Sequence, residues 1–281
     1  DFKDGTDLIG MSGLQFSDLT IAQGTGNYSN LILISITSTG EYMAVMHTQG
    51  QNGAGTISAS DITALDFVST STVDQTINGT TGNDTLIGGS GGDTFNTSTG
   101  IDLVYGHGGD DTINVDGAGS KILDGGSGTD ALVINYSGIS SLGDFMISES
   151  GDYTVLTYVN GDTIQFKNIE SLTVGSYTYT NNTSANTFWN SSEYVIYMYS
   201  GGNVSAGDIT AYSGFSKSAD LSVFGSASAD SMNLNISRVS SGALYEFTGN
   251  WTISLGAGND SISSAKLKNA DSIDMGSGDD T

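Results

Sequence analysis

GTTGNDTLIGGSGGDTFNTSTGIDLVYGHGGDDTINVDGAGSKILDGGSGTDALV, Gly79 to Val133, is the stretch on which the fold turns. It breaks into nine-residue pieces. Asp84, Asp93, Asp102 and Asp111 recur at that spacing, and two places after each stands an apolar side chain: Leu86, Phe95, Val104 and Ile113. A period of nine with fixed Gly, Asp and apolar slots predicts a coil with one turn per nine residues, six in a loop and three in a strand. The apolar residue of each piece should face the interior, with the Asp in the loop.

The loop chemistry follows from the residue types. In Gly88-Gly89-Ser90-Gly91-Gly92-Asp93, the backbone must take angles that β-carbons resist, which favours Gly. A bend of that kind aims carbonyl oxygens inward, and the Asp adds a carboxylate. Carbonyls and carboxylates at flexible distances suit Ca²⁺, which takes six to eight oxygen ligands; Mg²⁺ demands a stricter octahedron and keeps its waters. Read without metal, the array would be an acidic, turn-rich solenoid whose stacked carboxylates repel one another, which favours the cation.

Composition points the same way. The chain has 281 residues, 31 acids against 7 bases, and a formal net charge of -24. Five of the acids are Glu, which leaves 26 Asp. Asp is the short carboxylate of tight turns and hard-cation loops. So acidic a chain cannot neutralise phosphate, so no nucleic-acid partner is expected. Its longest apolar run, Leu31–Ile36, is of strand length, and no membrane insertion is expected. There are 40 Gly, no Pro and no Cys, so no disulfide can brace the fold. Metal is the available staple. The chain starts without Met and ends within Gly-Ser-Gly-Asp-Asp-Thr, which reads as a segment of a longer protein.

Outside the array the sequence reads as strands and turns. LTIAQ, NLILISIT and EYMAVMH precede it; FMIS, YTVLTYV, DTIQF and SLTVGSYTYT follow it. Thr37-Ser38-Thr39-Gly40 reads as a hairpin connection and Asn160-Gly161 as a two-residue hairpin turn. Ser60–Phe67 is the nearest candidate for a helix, one or two turns with Ser60 or Asp61 as cap. The chain also repeats itself. ISASDITA at Ile57 resembles VSAGDITA at Val204, Gly79…Asp84 resembles Gly225…Asp230, and LDGGSGTD at Leu123 resembles IDMGSGDD at Ile273. Asp260, Asp271 and Asp280 resume the loop pattern in a second, weaker array, where Asp230 stands almost alone. The expected fold class is all-β: a parallel β-roll or β-solenoid of calcium-binding nonapeptides alternating with β-rich modules. The expected boundaries are 1–75 (β module), 76–133 (roll), 134–217 (β module) and 218–281 (degenerate roll).

These nonapeptides resemble the repeat-in-toxin family, with its GGxGxDxUx consensus. The resemblance implies a right-handed parallel β-roll with Ca²⁺ held between loops two repeats apart. It pairs Asp84 with Asp102 and Asp93 with Asp111, and adds the carbonyls of Gly79, Thr81, Gly88 and Ser90. Asp130 arrives one residue late and gives a third pair with Asp111. Ser120 stands where an Asp is expected, so no site is expected there. Together with Asp260, Asp271 and Asp280 these are the candidate metal ligands.

Gly88-Gly89-Ser90-Gly91-Gly92 matches the hydrolase elbow GxSxG only formally, since no strand-to-helix context surrounds it, and no enzyme activity is expected. His107, at an undemanding loop position, should be exposed. The aromatics from Tyr177 to Tyr199 should pack in sheets or a core. The functional expectation is a calcium-dependent extracellular structural segment of a bacterial surface layer, sheath, filament or large adhesin, exported by type I secretion. Its partners would be further copies of itself, with cell-surface glycan as a second class. The alternative is a secretion and stability module of an exported enzyme or toxin.

Overall fold

The computed structural model describes residues 8–12, 14–47, 58–182, 187–192, 195–199, 203–205, 220–226, 228–233, 250–263 and 272–281. Among them the structure is all-β. Its only helical elements are single 3-10 turns of three residues, such as Phe16–Asp18 and Leu142–Asp144. The chain divides into two compact units, Asp1–Ala131 and Leu132–Thr281.

In the first unit, β1 (Ile9–Met11), β2 (Leu19–Gln23), β3 (Leu31–Ile36), β4 (Tyr42–His47) and β5 (Phe67–Ser69) come before the array. Strands β2, β3 and β4 form an antiparallel meander, and β1 pairs in parallel with β5. The Thr37–Gly40 connection holds: Gly40 is left-handed at φ 71° and its N–H donates to Ile36 O at 2.7 Å. The array supplies β6 (Thr76–Asn78), β7 (Thr85–Ile87), β8 (Thr94–Asn96), β9 (Asp102–Tyr105), β10 (Thr112–Val115) and β11 (Lys121–Asp124). Successive strands fall alternately in two parallel sheets, β6-β8-β10 and β7-β9-β11.

That alternation corrects the nine-residue turn. Thr76 pairs with Thr94 and Thr94 with Thr112, so a strand meets its neighbour eighteen residues on, after two nonapeptides. Nine residues carry the chain only from one sheet to the other. The apolar slot behaves as expected: Phe95, Val104 and Ile113 are 0% exposed, and Leu86, Ile77 and Leu123 are also buried. Ile87 joins a core outside the array, with Met11, Ile32, Ile34, Ile62 and Phe67. That cluster fastens the N-terminal strands to the array. Gln15 Oε1 reinforces the join by accepting the Ile87 N–H at 2.9 Å.

The expected helix over Ser60–Phe67 is instead two 3-10 turns, Ala59–Asp61 and Ala64–Asp66. The N-caps are Ser58 and Thr63, not Ser60 or Asp61; Asp61 and Asp66 sit at the third position of their turns. Each closes a capping box from the third position: Ser58 N–H donates to Asp61 Oδ2 at 2.7 Å and Thr63 N–H to Asp66 Oδ2 at 2.8 Å. The carboxylate in the fourth place of each, counted from the N-cap, fastens a single turn.

In the second unit, β12 (Ala131–Ile134), which begins at the boundary, is followed by β13 (Phe145–Ser150), β14 (Tyr153–Tyr158) and β15 (Thr163–Lys167), which form antiparallel hairpins. The Asn160-Gly161 turn has three residues rather than two. Thr157 faces Thr163, Tyr158 N–H donates to Asp162 O at 2.9 Å, and Gly161 takes the left-handed bulge position at φ 92°. Next come β16 (Ser171–Val174), β17 (Tyr177–Asn182), β18 (Thr187–Asn190) and β19 (Val195–Met198), an antiparallel run. The remaining strands are β20 (Asn203–Ser205), β21 (Leu221–Phe224), β22 (Ser231–Asn233), β23 (Trp251–Ser254), β24 (Ser261–Ser263) and β25 (Ser272–Asp274). They return to alternate parallel pairing, β19-β21-β23-β25 and β20-β22-β24. Trp189, Ile196, Met198, Leu221, Val223, Trp251 and Ile253 form the core there. Tyr179 and Tyr199 are buried as well, so these aromatics are packing residues; Tyr194 lies outside the described residues.

Candidate metal centre

Asp93, Asp102, Asp111 and Asp130 each bind a neighbouring rung of the array through one oxygen. Gln75 N–H donates to Asp93 Oδ1 at 2.8 Å, Asp93 N–H to Asp111 Oδ1 at 2.6 Å, and Asp111 N–H to Asp130 Oδ1 at 2.8 Å. In the other row of loops, Asp84 N–H donates to Asp102 Oδ1 at 3.0 Å. The pairs 84/102, 93/111 and 111/130 are thus each brought together. The second unit builds the same ladder: Asp230 N–H donates to Asp260 Oδ1 at 2.8 Å and Asp260 N–H to Asp280 Oδ1 at 3.0 Å.

The second oxygen has two fates, and the backbone decides between them. In three loops the residue after the leading Gly is not left-handed, and its N–H caps the loop's own Asp. Thr80 N–H donates to Asp84 Oδ2 at 2.7 Å, Gly89 N–H to Asp93 Oδ2 at 2.9 Å and Ser226 N–H to Asp230 Oδ2 at 2.6 Å. In the loops led by Thr97, Gly106, Gly125, Leu255 and Met275 the equivalent residue is left-handed: Ser98 at φ 59°, His107 at 69°, Gly126 at 98°, Gly256 at 86° and Gly276 at 85°. The second oxygen of Asp111 and of Asp260 is then left without a hydrogen-bond partner, and each residue is 1% exposed.

An orphaned buried carboxylate oxygen is costly. Burial is the main cause that pushes the Asp111 carboxyl up to about 7, and Asp130, Asp93 and Asp110 add repulsion; the Asp93 N–H opposes the rise. The oxygen lies beside a carbonyl. A β-carbon built on Gly106 would collide with both Asp111 Oδ2 and the Gly125 carbonyl oxygen, and one on Gly88 would lie 2.6 Å from Gly106 O and 2.7 Å from Asp93 Oδ2. The rungs led by Gly88 and Gly106 therefore each hold a carboxylate and a carbonyl around a space that a β-carbon would fill. That donor set fits a hard cation. Among the described residues no three His, Cys, Asp or Glu side chains converge as a metal-binding group. The ladder offers its carboxylates one to a rung, and backbone carbonyls would have to supply the rest.

Two of the other predicted carbonyl ligands already accept a hydrogen bond. Gly88 O accepts the Ser69 N–H at 3.0 Å and Thr81 O the Thr99 hydroxyl at 3.3 Å. Gly79 and Ser90 donate their N–H groups to Asn96 O at 2.8 Å and Ser71 O at 3.0 Å. Asp271 lies outside the described residues. His107 is not exposed. It is half-buried, its Nε2 lies 2.9 Å from Phe67 O, and burial lowers its pKa.

Two residues of the ladder were not among the predicted ligands. Asp230 is 2% exposed and belongs to the ladder at a spacing of thirty residues, the spacing at which Leu221 pairs with Trp251. Its match to Asp84 in the internal duplication was the available signal. Lys121, not Ser120, occupies the slot after Asp102, because the register pairs Asp102 with Lys121. Asp111 to Asp130 shows the same one-residue insertion. The chain matches no family model, no curated protein and no solved structure.

Proposed function

We propose that this chain is a calcium-dependent extracellular structural segment, of the kind that builds a bacterial surface layer, sheath, filament or large adhesin. The alternating parallel strands would form a β-roll, with Ca²⁺ held in the loops. The observation that carries the reading is the second oxygen of Asp111: buried, without a hydrogen bond, and next to the Gly125 carbonyl. Asp260 repeats the orphaned oxygen in the second unit. A cation there would take the orphaned charge as a ligand and screen the mutual repulsion of the ladder. Asp111, Asp130 and Asp260, with loop carbonyls, are the residues that would hold it. Folding is then linked to external calcium, which suits a chain exported unfolded and assembled outside.

Calorimetric titration with CaCl₂ tests this. The native chain should take up calcium in whole-number stoichiometry, and Asp111→Asn should lose at least one equivalent. No uptake by the native chain would sink the reading.

A further inference from the structure

Among the described residues, the loops following β8 and β10 hold a cation of their own. Lys121 starts β11 in the slot where the array elsewhere places Asp, and its side chain is 0% exposed. Its Nζ lies 3.0 Å from Asp102 Oδ2, and Asp102 is also 0% exposed. Nζ also donates to Gly100 O at 2.7 Å and to Ala118 O at 3.3 Å. The ammonium thus pairs with one carboxylate and donates to two loop carbonyls drawn from consecutive rungs. Those are the donors that a hard cation takes. Ser98 is left-handed, so its loop is of the open kind that orphans the second Asp oxygen at Asp111. At Asp102 that oxygen faces Lys121 instead.

We propose that Lys121 is a tethered counter-ion that stands in for a metal ion at the Asp102 rung, so that one row of loops is fastened without calcium while the opposite row, Asp93–Asp111–Asp130, responds to it. Such a rung gives the array a fixed register in the metal-free chain. The inference rests on the calcium reading only where it invokes the opposite row and rescue by metal; the neutralisation of Asp102 by Lys121 stands apart from it.

Two variants of the full chain separate the roles of charge and packing. Lys121→Ala opens the cradle of Asp102 and the two carbonyls, and Lys121→Met fills it with an uncharged chain of similar volume. In EGTA both should melt about 10 °C below the native chain, because each strands a buried carboxylate. In millimolar CaCl₂ Lys121→Ala should recover most of that loss and bind one more calcium than the native chain. Lys121→Met should do neither. A Lys121→Met variant that melts with the native chain in EGTA would overturn the proposal, whether or not Lys121→Ala folds. So would a Lys121→Ala variant whose deficit and calcium count are unchanged by CaCl₂ while the native chain binds the ion. A native chain that binds no calcium would remove the metal reading and leave the EGTA comparison to decide the counter-ion.

Discussion

Asp111 concentrates the chemistry of the array in one side chain. Its folded-state pKa, about 7, lies above that of an unfolded Asp. The folded, metal-free chain therefore holds a proton that the unfolded chain has lost. Its stabilising effect is fully present below the unfolded value near 4 and is lost as pH rises through about 7. Metal-free protein should thus be more stable at pH 5.5 than at pH 8 as far as this group decides. Calcium needs the carboxylate, so binding at pH 6 should expel a proton and binding at pH 8 should not. Calorimetry in buffers of different ionisation enthalpy reads this directly: the apparent heat should depend on the buffer at pH 6 and cease to at pH 8. Equal buffer dependence at both would contradict the assignment. The ladder aspartates could be picked out in the sequence because nine-residue spacing marks them. The orphaned oxygen could not, because it depends on the backbone of His107, a non-glycine residue in the left-handed region.

At the scale of the element, the acidic residues sort into two kinds. Those in the ladder link neighbouring rungs, and those in the 3-10 turns cap their own turn. Asp66 is of the second kind: it is 1% exposed and accepts from Thr63 N–H at 2.8 Å and the Thr63 hydroxyl at 3.2 Å. Asp66→Ala should cost about 1–2 kcal/mol by losing that cap. Thermal melting would show the cost, and calcium stoichiometry should not change. A drop in bound calcium would place Asp66 among the ligands instead. The coils have further polar rungs. Asn78, Asn96 and Asn114 form a side-chain ladder, Asn96 Nδ2 donating to Asn78 Oδ1 at 2.7 Å and Asn114 Nδ2 to Asn96 Oδ1 at 2.9 Å. Nothing in a single Asn announces that; only the eighteen-residue register brings the three into line. The same register explains why a nine-residue rhythm misstates the turn. Period fixes which residues are equivalent, whereas the sheet to which each strand returns is set by hydrogen bonds between strands.

Over the whole molecule, strand positions were the legible part. LTIAQ, EYMAVMH and SLTV fall on β2, β4 and β16 because alternating or β-branched runs bounded by Gly and Asn have few other outcomes. The second array was harder to read, because a spacing of thirty residues between Asp230 and Asp260 hides the period. The backbone keeps what the sequence blurs: Gly126 and Gly128, at φ 98° and 144°, are matched by Gly276 and Gly278 at 85° and 153°. A chain of net charge -24 whose carboxylates stand in stacked rows should be held by the cation that screens them. Each site filled at 100-fold over its dissociation constant adds about 2.7 kcal/mol. The most direct measurement is the melting of the native chain, followed by circular dichroism at pH 7.5, in EGTA and in 5 mM CaCl₂. The account predicts a transition at least about 5 °C higher in CaCl₂, with a stronger β signal before it. Superimposable curves in the two buffers would contradict it.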